Sequence, residues 1–499
     1  MGNKYSREIG KFKKNETVDL SNMGYRNLPK EIKLLEKNCK ELILCNNEMQ
    51  NIHENIKLLK NLIKLDFSNN NMNYWCPYFP ISLEEIYAHH NRLFYSPISD
   101  AICNLESLRV LDLGFNQLES IPEGLNKLSN LKTLILQNND LQEIPDCVFT
   151  LPNLEILRIN NNKIKNVGQE LAWLKNLVEL NISNNSLQKL PDNVGLLNKL
   201  KKLIISNNIL YELPSTIGDL TELEDFQISY NLNMIEMPIS VRKLNKIKRF
   251  HFCNTKFEEV PSLIENWTEL LELYLYDNTQ IETLPTFIGN LTKLKRIEAN
   301  NCSIKTIPDE IGNLTNLVIL NLNHNELSSF SIPSSFQNLS NLTRLYLNNN
   351  KIEVIPEEIC QMTNLKDLDI SNNNVYSLPE DIGNLINLEK LLANNNKIES
   401  IPESIGKLCN LASLELSKNS LSSMPKEFCD LVNLRQLDIS YNKIMDLPED
   451  IYMLANLTLF NTKDNVWKPD IQPIVTAGLQ SIMNHYKQQA IKKGKKIKN

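Results

Sequence analysis

Apolar side chains recur along this chain in a fixed phase. Between Leu108 and Leu128 the order LRVLDLGFNQLESIPEGLNKL sets apolar residues at alternate positions, then an asparagine, then an Ile-Pro step, then apolar residues three apart. The same order returns with a period of 23. Alternation of period two predicts a short strand, with its leucines turned into a core and the intervening side chains turned out. The Ile-Pro step fixes φ and ends the strand, and I-x-x-L-x-x-L supplies the stripe of a short helical or 3₁₀ return.

Placing the central apolar residue of each unit gives Val18, Leu42, Leu65, Ile86, Leu111, Leu134, Leu157, Leu180, Leu203 and Phe226, then Phe250, Leu273, Ile297, Leu320, Leu345, Leu368, Leu391, Leu414, Leu437 and Phe460. Self-similarity sustained this long is the signature of a solenoid, in which each repeat buries its apolar face only against its neighbours. The predicted fold is α/β: a leucine-rich-repeat solenoid of about 20 repeats, with a parallel strand ladder on the concave side and short helical or 3₁₀ returns on the convex side. The asparagine five places after the strand centre (Asn116, Asn139, Asn162, Asn185, Asn208) is expected to bond backbone groups that no neighbouring strand satisfies. Met23, Thr255 and Cys302 replace it in three units, and Cys302 is expected to be structural rather than reactive. The spacing departs from 23 to 21 and 25 between Leu65 and Leu111, to 24 after Phe226 and Leu273, and to 25 after Leu320. Insertions such as Phe330-Ser331 should therefore fall in loops.

The ends leave the repeat. Residues 1–16 form a basic arm, 17–469 the solenoid, 470–490 a capping helix with Ile474, Leu479, Ile482 and Tyr486 as its stripe, and 491–499 a basic, disordered tail. MGNKYS fits the rule for N-myristoylation of Gly2, with Ser6 as its last element. Lys4, Arg7, Lys11, Lys13 and Lys14 would add attraction to anionic lipid, so lipidation with peripheral membrane contact stands beside an unmodified solvated arm. The tail lysines could touch acidic lipid or serve nuclear import, with solubilising disorder as the plainer reading.

Composition narrows the function. A net charge of -6 gives no global reason to bind nucleic acid. The ten cysteines form no C-x-x-C pair, which argues against zinc and disulfide frameworks. No stretch has signal-peptide or membrane-span character, so the expected location is cytoplasmic, with the inner face of the plasma membrane open to a lipidated chain. Glycine is scarce at 14 residues, and no phosphate-binding loop, H-E-x-x-H or G-x-S-x-G motif occurs. Neither enzyme activity nor a cofactor is expected. His89 and His90 are adjacent, and neighbours on a strand point to opposite sides, so no metal site is expected of them.

The form I/L-P-x-x-I-G-x-L-x-x-L, as in IPDEIGNLTNL, LPEDIGNLINL and IPESIGKLCNL, resembles the Ras-group leucine-rich-repeat proteins. That group includes Ras-binding scaffolds, the repeat region of fungal adenylyl cyclases and plant intracellular members. The helix after Trp467-Lys468-Pro469 is similar to the ending of the Ras scaffolds. The layout as a whole looks like that of amoebal cytoplasmic repeat proteins linked to cytoskeletal remodelling and chemotaxis. The resemblance implies a signalling scaffold whose partner is a Ras-like GTPase or its effector, with an adaptor in cytoskeletal remodelling or a targeting subunit of a protein phosphatase as alternatives. Ras scaffolds can carry a phosphatase-docking motif before the repeats; in Arg7-Glu8-Ile9-Gly10-Lys11-Phe12 the Phe comes one place too late for it.

Candidate binding residues are the outward positions around each L-x-L. A central group stands out: Tyr230, Arg249, His251, Tyr274, Tyr276, Asp277, Arg296, Glu298, His324, Arg344 and Tyr346. Tyrosine and arginine dominate binding hot spots because they bury large area while keeping donors. Cross-strand pairing is the competing explanation. A smaller group, Tyr87, His89, His90 and Phe115, lies nearer the N-terminus. The protein is expected to work as a monomer with protein partners.

Overall fold

The computed structural model describes residues 8–93 and 98–495. The chain divides into two compact units, Met1–Ile247 and Lys248–Asn499. In the first, strands β1 (Thr17–Asp19), β2 (Glu41–Ile43), β3 (Lys64–Asp66), β4 (Glu85–Tyr87), β5 (Val110–Asp112), β6 (Thr133–Ile135), β7 (Ile156–Arg158), β8 (Glu179–Asn181), β9 (Lys202–Ile204) and β10 (Asp225–Gln227) pair in parallel, each with the next. In the second, β11 (Arg249–His251), β12 (Glu272–Tyr274), β13 (Arg296–Glu298), β14 (Ile319–Asn321), β15 (Arg344–Tyr346), β16 (Asp367–Asp369), β17 (Lys390–Leu392), β18 (Ser413–Glu415), β19 (Gln436–Asp438) and β20 (Leu459–Asn461) do the same.

The middle residue of every strand is the centre read from the sequence, and its register partner is the centre of the next strand, as in Leu42 opposite Leu65 and Leu273 opposite Ile297. These residues are buried while those on either side mostly remain half-exposed, so each strand turns one edge of its alternation into the core. Parallel strands need a crossover, and here it is a 3₁₀ turn after the Ile-Pro or Leu-Pro step, for example Asp309–Asn313 behind Pro308. The I-G pair has a packing cause. A Cβ on Gly312 would stand 2.6 Å from the Ser335 Cβ and 2.7 Å from its carbonyl oxygen, so a side chain there would force neighbouring returns apart.

The asparagine ladder behaves as its position predicts. Asn139 donates to the Leu113 and Leu136 carbonyls at 3.1 and 3.0 Å and accepts from the Asn116 and Leu118 amides at 3.1 and 2.9 Å. One buried amide thus ties three backbone segments that face no partner strand. Cys302 fills the same place with a thiol 3.4 Å from the Leu275 carbonyl, and burial pushes its pKa up to about 12. It is a packed ladder residue, not a reactive one. The insertion after Leu320 forms a turn at Ser329–Ser331, outside the strands, with Phe330 fully exposed.

Two terminal features differ from expectation. Ile9 is fully buried and Glu8 accepts a hydrogen bond from the Tyr25 hydroxyl at 2.9 Å, so the described end of the N-terminal arm is packed. Gly2, the lipidation candidate, lies outside the described residues. At the other end the single capping helix is two, Gln472–Thr476 and Leu479–Lys492, broken at Gly478 with φ of 93°. The second runs past residue 490, and Lys493 and Lys495 pair with Glu449 and Asp450. Up to Lys495 the basic tail is therefore folded back, because acidic side chains of the last return neutralise it. Among the described residues no helix is long and apolar enough to cross a membrane.

Candidate functional site

The predicted group divides between the units. Tyr230 belongs to the first, three residues past the end of β10, and has left-handed backbone with φ of 57°. The other ten belong to the second unit. Register places Arg249, Glu272, Arg296, Ile319 and Arg344 in one row across β11 to β15, and His251, Tyr274, Glu298, Asn321 and Tyr346 in the next. Tyr276 follows β12, while Asp277 and His324 occupy left-handed positions past their strands with φ of 63° and 53°.

Within these rows the side chains are largely matched to one another. His251 stacks on Tyr274 with centroids 4.0 Å apart and planes 18° apart. The Tyr274 hydroxyl donates to Glu272 at 2.7 Å, and the Arg296 guanidinium stands 5.8 Å from the Tyr274 ring centre. Arg296 also grips Glu298 through Nη2 at 2.6 Å and Nε at 2.7 Å, and Asn321 donates to the other oxygen of Glu298 at 2.6 Å. Arg344 pairs with Asp367 at 3.1 Å, His324 meets Asn349 at 3.1 Å, and Asn301 donates to Asp277 at 2.7 Å. Burial, then the Glu272 bond, pushes the Tyr274 phenol up to about 12; burial also raises Tyr346. Both phenols are neutral donors at physiological pH.

The sequence picked out the aromatic, arginine and histidine members with Asp277 and Glu298, and missed Glu272, Asn321 and Asp367, which bond to Tyr274, Glu298 and Arg344. The missing signal was in the same columns. Arg249, Glu272 and Arg296 alternate in sign one repeat apart, which is the spacing that brings side chains side by side on a parallel ladder. Tyr346 is the exception, half-buried with no hydrogen bond from its hydroxyl to any described residue.

In the first unit Arg158 pairs with Glu179 through two nitrogens, at 2.8 and 3.3 Å, and Lys64 stands 5.5 Å over the Tyr87 ring. Asp112, in the same row as Tyr87, is buried, and that burial raises its pKa. The expectation that His89 and His90 diverge is overturned. Strand β4 ends at Tyr87, so the pair sits in the turn beyond it, where His90 takes a left-handed φ of 54°. The two Nδ1 atoms come within 3.0 Å of each other, and the His90 ring stacks on Phe115 at 3.9 Å. Strand alternation no longer applies once the chain has turned.

Four family models match five stretches of the chain: "Leucine-rich repeat region" at residues 287–373, "Leucine rich repeat" at 129–187 and 386–444, "Leucine Rich repeats (2 copies)" at 106–146, and "Leucine Rich Repeat" at 364–385. No curated protein sequence matches. Among solved structures, a leucine-rich-repeat protein of Leptospira interrogans is similar at 27% identity and a TM-score of 0.64, over 91% of this chain and 97% of that one. The plant peptide hormone receptor RGFR1, solved in complex with RGF2, is similar at 28% identity and a TM-score of 0.64, over 90% of this chain and 70% of that one. YopM from Yersinia enterocolitica shares the fold at 22% identity and a TM-score of 0.63, over 94% and 96%. Folds of this kind generally serve as protein-binding scaffolds, and no catalytic family is indicated.

Proposed function

This chain is a leucine-rich-repeat protein, and from that premise we propose that it is a non-enzymatic signalling scaffold that binds a Ras-like GTPase or its effector through the ladder face of the second unit. The observation that carries the reading is the state of Tyr274 and Tyr346. Both are half-buried on the solvent side of the ladder, Tyr274 fixed by His251 and Glu272, Tyr346 holding a hydroxyl with no acceptor among the described residues. Rotamers held before binding lose less entropy on association, and a large ring with an uncommitted donor suits a protein partner. The peptide ligand seen on a similar receptor supports a protein or peptide as the class of partner. The GTPase follows from the resemblance of the I-P-x-x-I-G repeats.

The test is a pull-down with the full chain against Ras-like GTPases in both nucleotide states and, in parallel, against phosphatase catalytic subunits. Recovery of a GTPase in one nucleotide state, lost in the Tyr274→Ala, Tyr276→Ala, Tyr346→Ala triple variant, is the expected result. Recovery of no GTPase sinks the GTPase reading, and binding that survives the triple variant removes the face from consideration. Since the three rings lie outside the core, circular dichroism of the variant should match that of the wild type.

A further inference from the structure

We propose that the ridge of Phe330, Val354 and Tyr376 in the second unit is a docking surface for a basic amphipathic helix of a partner protein. The ridge begins at an insertion. Leu320 and Leu345 are 25 residues apart where the period is 23, and the added length closes the turn Ser329–Ser331. The serines of that turn are engaged within the chain. The Ser331 hydroxyl donates to the Lys305 carbonyl at 2.5 Å and accepts from the Ser328 amide at 2.9 Å, and the Ser329 hydroxyl accepts from the Glu353 and Val354 amides at 3.0 and 2.8 Å. Phe330 alone turns outward, 99% exposed. An aromatic ring with two rotatable bonds, carried on a fixed turn, loses little freedom when a partner covers it, which suits an interface anchor.

Backbone bonds carry the apolar strip into the next two repeats. The Ser329 hydroxyl seats the turn of Phe330 on Glu353 and Val354, and the Tyr376 amide donates to the Glu353 carbonyl at 3.2 Å. Val354 is 56% and Tyr376 46% exposed, so three consecutive repeats each present a large apolar side chain. Scattered apolar residues on a surface are ordinary, whereas adjoining ones mark a contact surface. The step between repeats decides the conformation of the occupant. On this side too the chain pairs in parallel, Ser377 with Ser400, so neighbouring repeats stand about 4.8 Å apart. A helix offers one apolar residue per turn of about 5.4 Å and drifts from the ridge by roughly 1 Å over two steps. An extended chain offers one per roughly 6.6 Å and drifts by roughly 4 Å.

The charge of the helix follows from what borders the ridge. Glu353, Glu357, Glu380, Asp381, Glu399 and Glu403 are exposed on the repeats of Val354 and Tyr376 and on the one after, and none of them forms an ion pair among the described residues. Glu353 precedes Val354 in the chain, and the Glu399 amide donates to the Tyr376 carbonyl at 3.2 Å, so these carboxylates adjoin the apolar strip. The exposed lysines on the same stretches are fewer and partly engaged. Lys351 pairs with Glu326 at 3.1 Å, Lys397 stands 5.4 Å over the Tyr376 ring, and Lys407 is the third. An apolar strip in a negative field disfavours nucleic acid and anionic lipid and favours a helix with lysine or arginine beside its apolar face. The ridge lies outside the strand ladder, so the inference does not rest on the binding assigned to Tyr274 and Tyr346.

The experiment is fluorescence anisotropy of a labelled synthetic peptide of about 18 residues, five helical turns, titrated with the full chain. The peptide holds only leucine and lysine, with leucines at i, i+3, i+4 and i+7. Saturable one-to-one binding that weakens as salt rises is expected. A peptide of the same composition with leucine and lysine alternating should bind at least about ten-fold more weakly, and one with glutamate in place of lysine should not bind. Phe330→Ser should weaken the helical peptide at least about ten-fold, and the Glu353→Gln, Glu380→Gln, Glu399→Gln variant should flatten its salt dependence. All four side chains are exposed, so thermal melting of both variants should match the wild type. Leu232→Ser, at an exposed apolar residue of the first unit, and the Tyr274→Ala, Tyr276→Ala, Tyr346→Ala variant should bind the peptide as the wild type does, which separates this outcome from that of the GTPase pull-down. No binding, binding unchanged by Phe330→Ser, or equal binding of the alternating peptide overturns the proposal.

Discussion

The Tyr486 hydroxyl donates to Asp446 Oδ1 at 2.6 Å across 40 residues of sequence, and accepts from the Leu447 amide at 3.2 Å. Lys468 holds the other oxygen of Asp446 at 2.7 Å. Burial works to raise the Asp446 carboxyl, and these hydrogen bonds overcome it, leaving the pKa lowered. One buried phenol thus joins the terminal helix to the loop that follows β19.

Tyr486→Phe keeps the ring and removes both bonds, including the one to the charged Asp446 carboxylate, while the Leu447 amide keeps its bond to Asp446 Oδ1 at 2.9 Å. The expected loss is about 1 to 3 kcal/mol. Hydrogen exchange should show it as faster exchange in Leu479–Lys492 with little change in β11 to β15. Uniform loss of protection across the second unit would mean that the helix is not a separable cap. Since the folded pKa of Asp446 is depressed, its contribution is present above the unfolded value and is lost as pH falls through the folded one.

Asp369→Asn should stabilise the protein at neutral pH. Burial raises the Asp369 carboxyl, so its ionised form is disfavoured in the folded chain. Asn181 and Asn321 occupy the same place in other repeats and accept from the amides two residues on, as Asp369 does from Ser371. For an acid raised on folding, the penalty is full above the folded pKa and vanishes below the unfolded value near 3.8. Melting temperatures of the two proteins should therefore differ at pH 7 and converge as pH falls to the bottom of that window.

Asn139→Ala strips two donors and an acceptor that serve five backbone groups. Each buried group left without a partner costs about 1 to 3 kcal/mol, so urea titration should show a loss of at least about 3 kcal/mol. A loss under about 1 kcal/mol would mean that water replaces the amide.

His90→Asn should raise stability by about 1 kcal/mol, because asparagine accepts left-handed backbone more readily. Equal or lower melting temperature would show that the stack on Phe115 outweighs the strain.

The strand centres from Val18 to Phe460, the asparagine ladder and the structural role of Cys302 were all legible in the sequence. Each follows from local chemistry repeated at a fixed period, and a side chain's direction on a strand depends only on its parity. Where the chain leaves the strand, parity stops deciding. His89 and His90 were read as divergent and meet at 3.0 Å because the turn after Tyr87 reverses one of them. The Tyr274 group was found by residue type, but the stack of His251 on Tyr274, the bond from Asn321 to Glu298 and the pairing of Arg344 with Asp367 appear only when strands 23 residues apart in sequence are brought together. Period fixes which residues face the core; contacts between repeats, set by register and rotamer, decide what the outer face can hold.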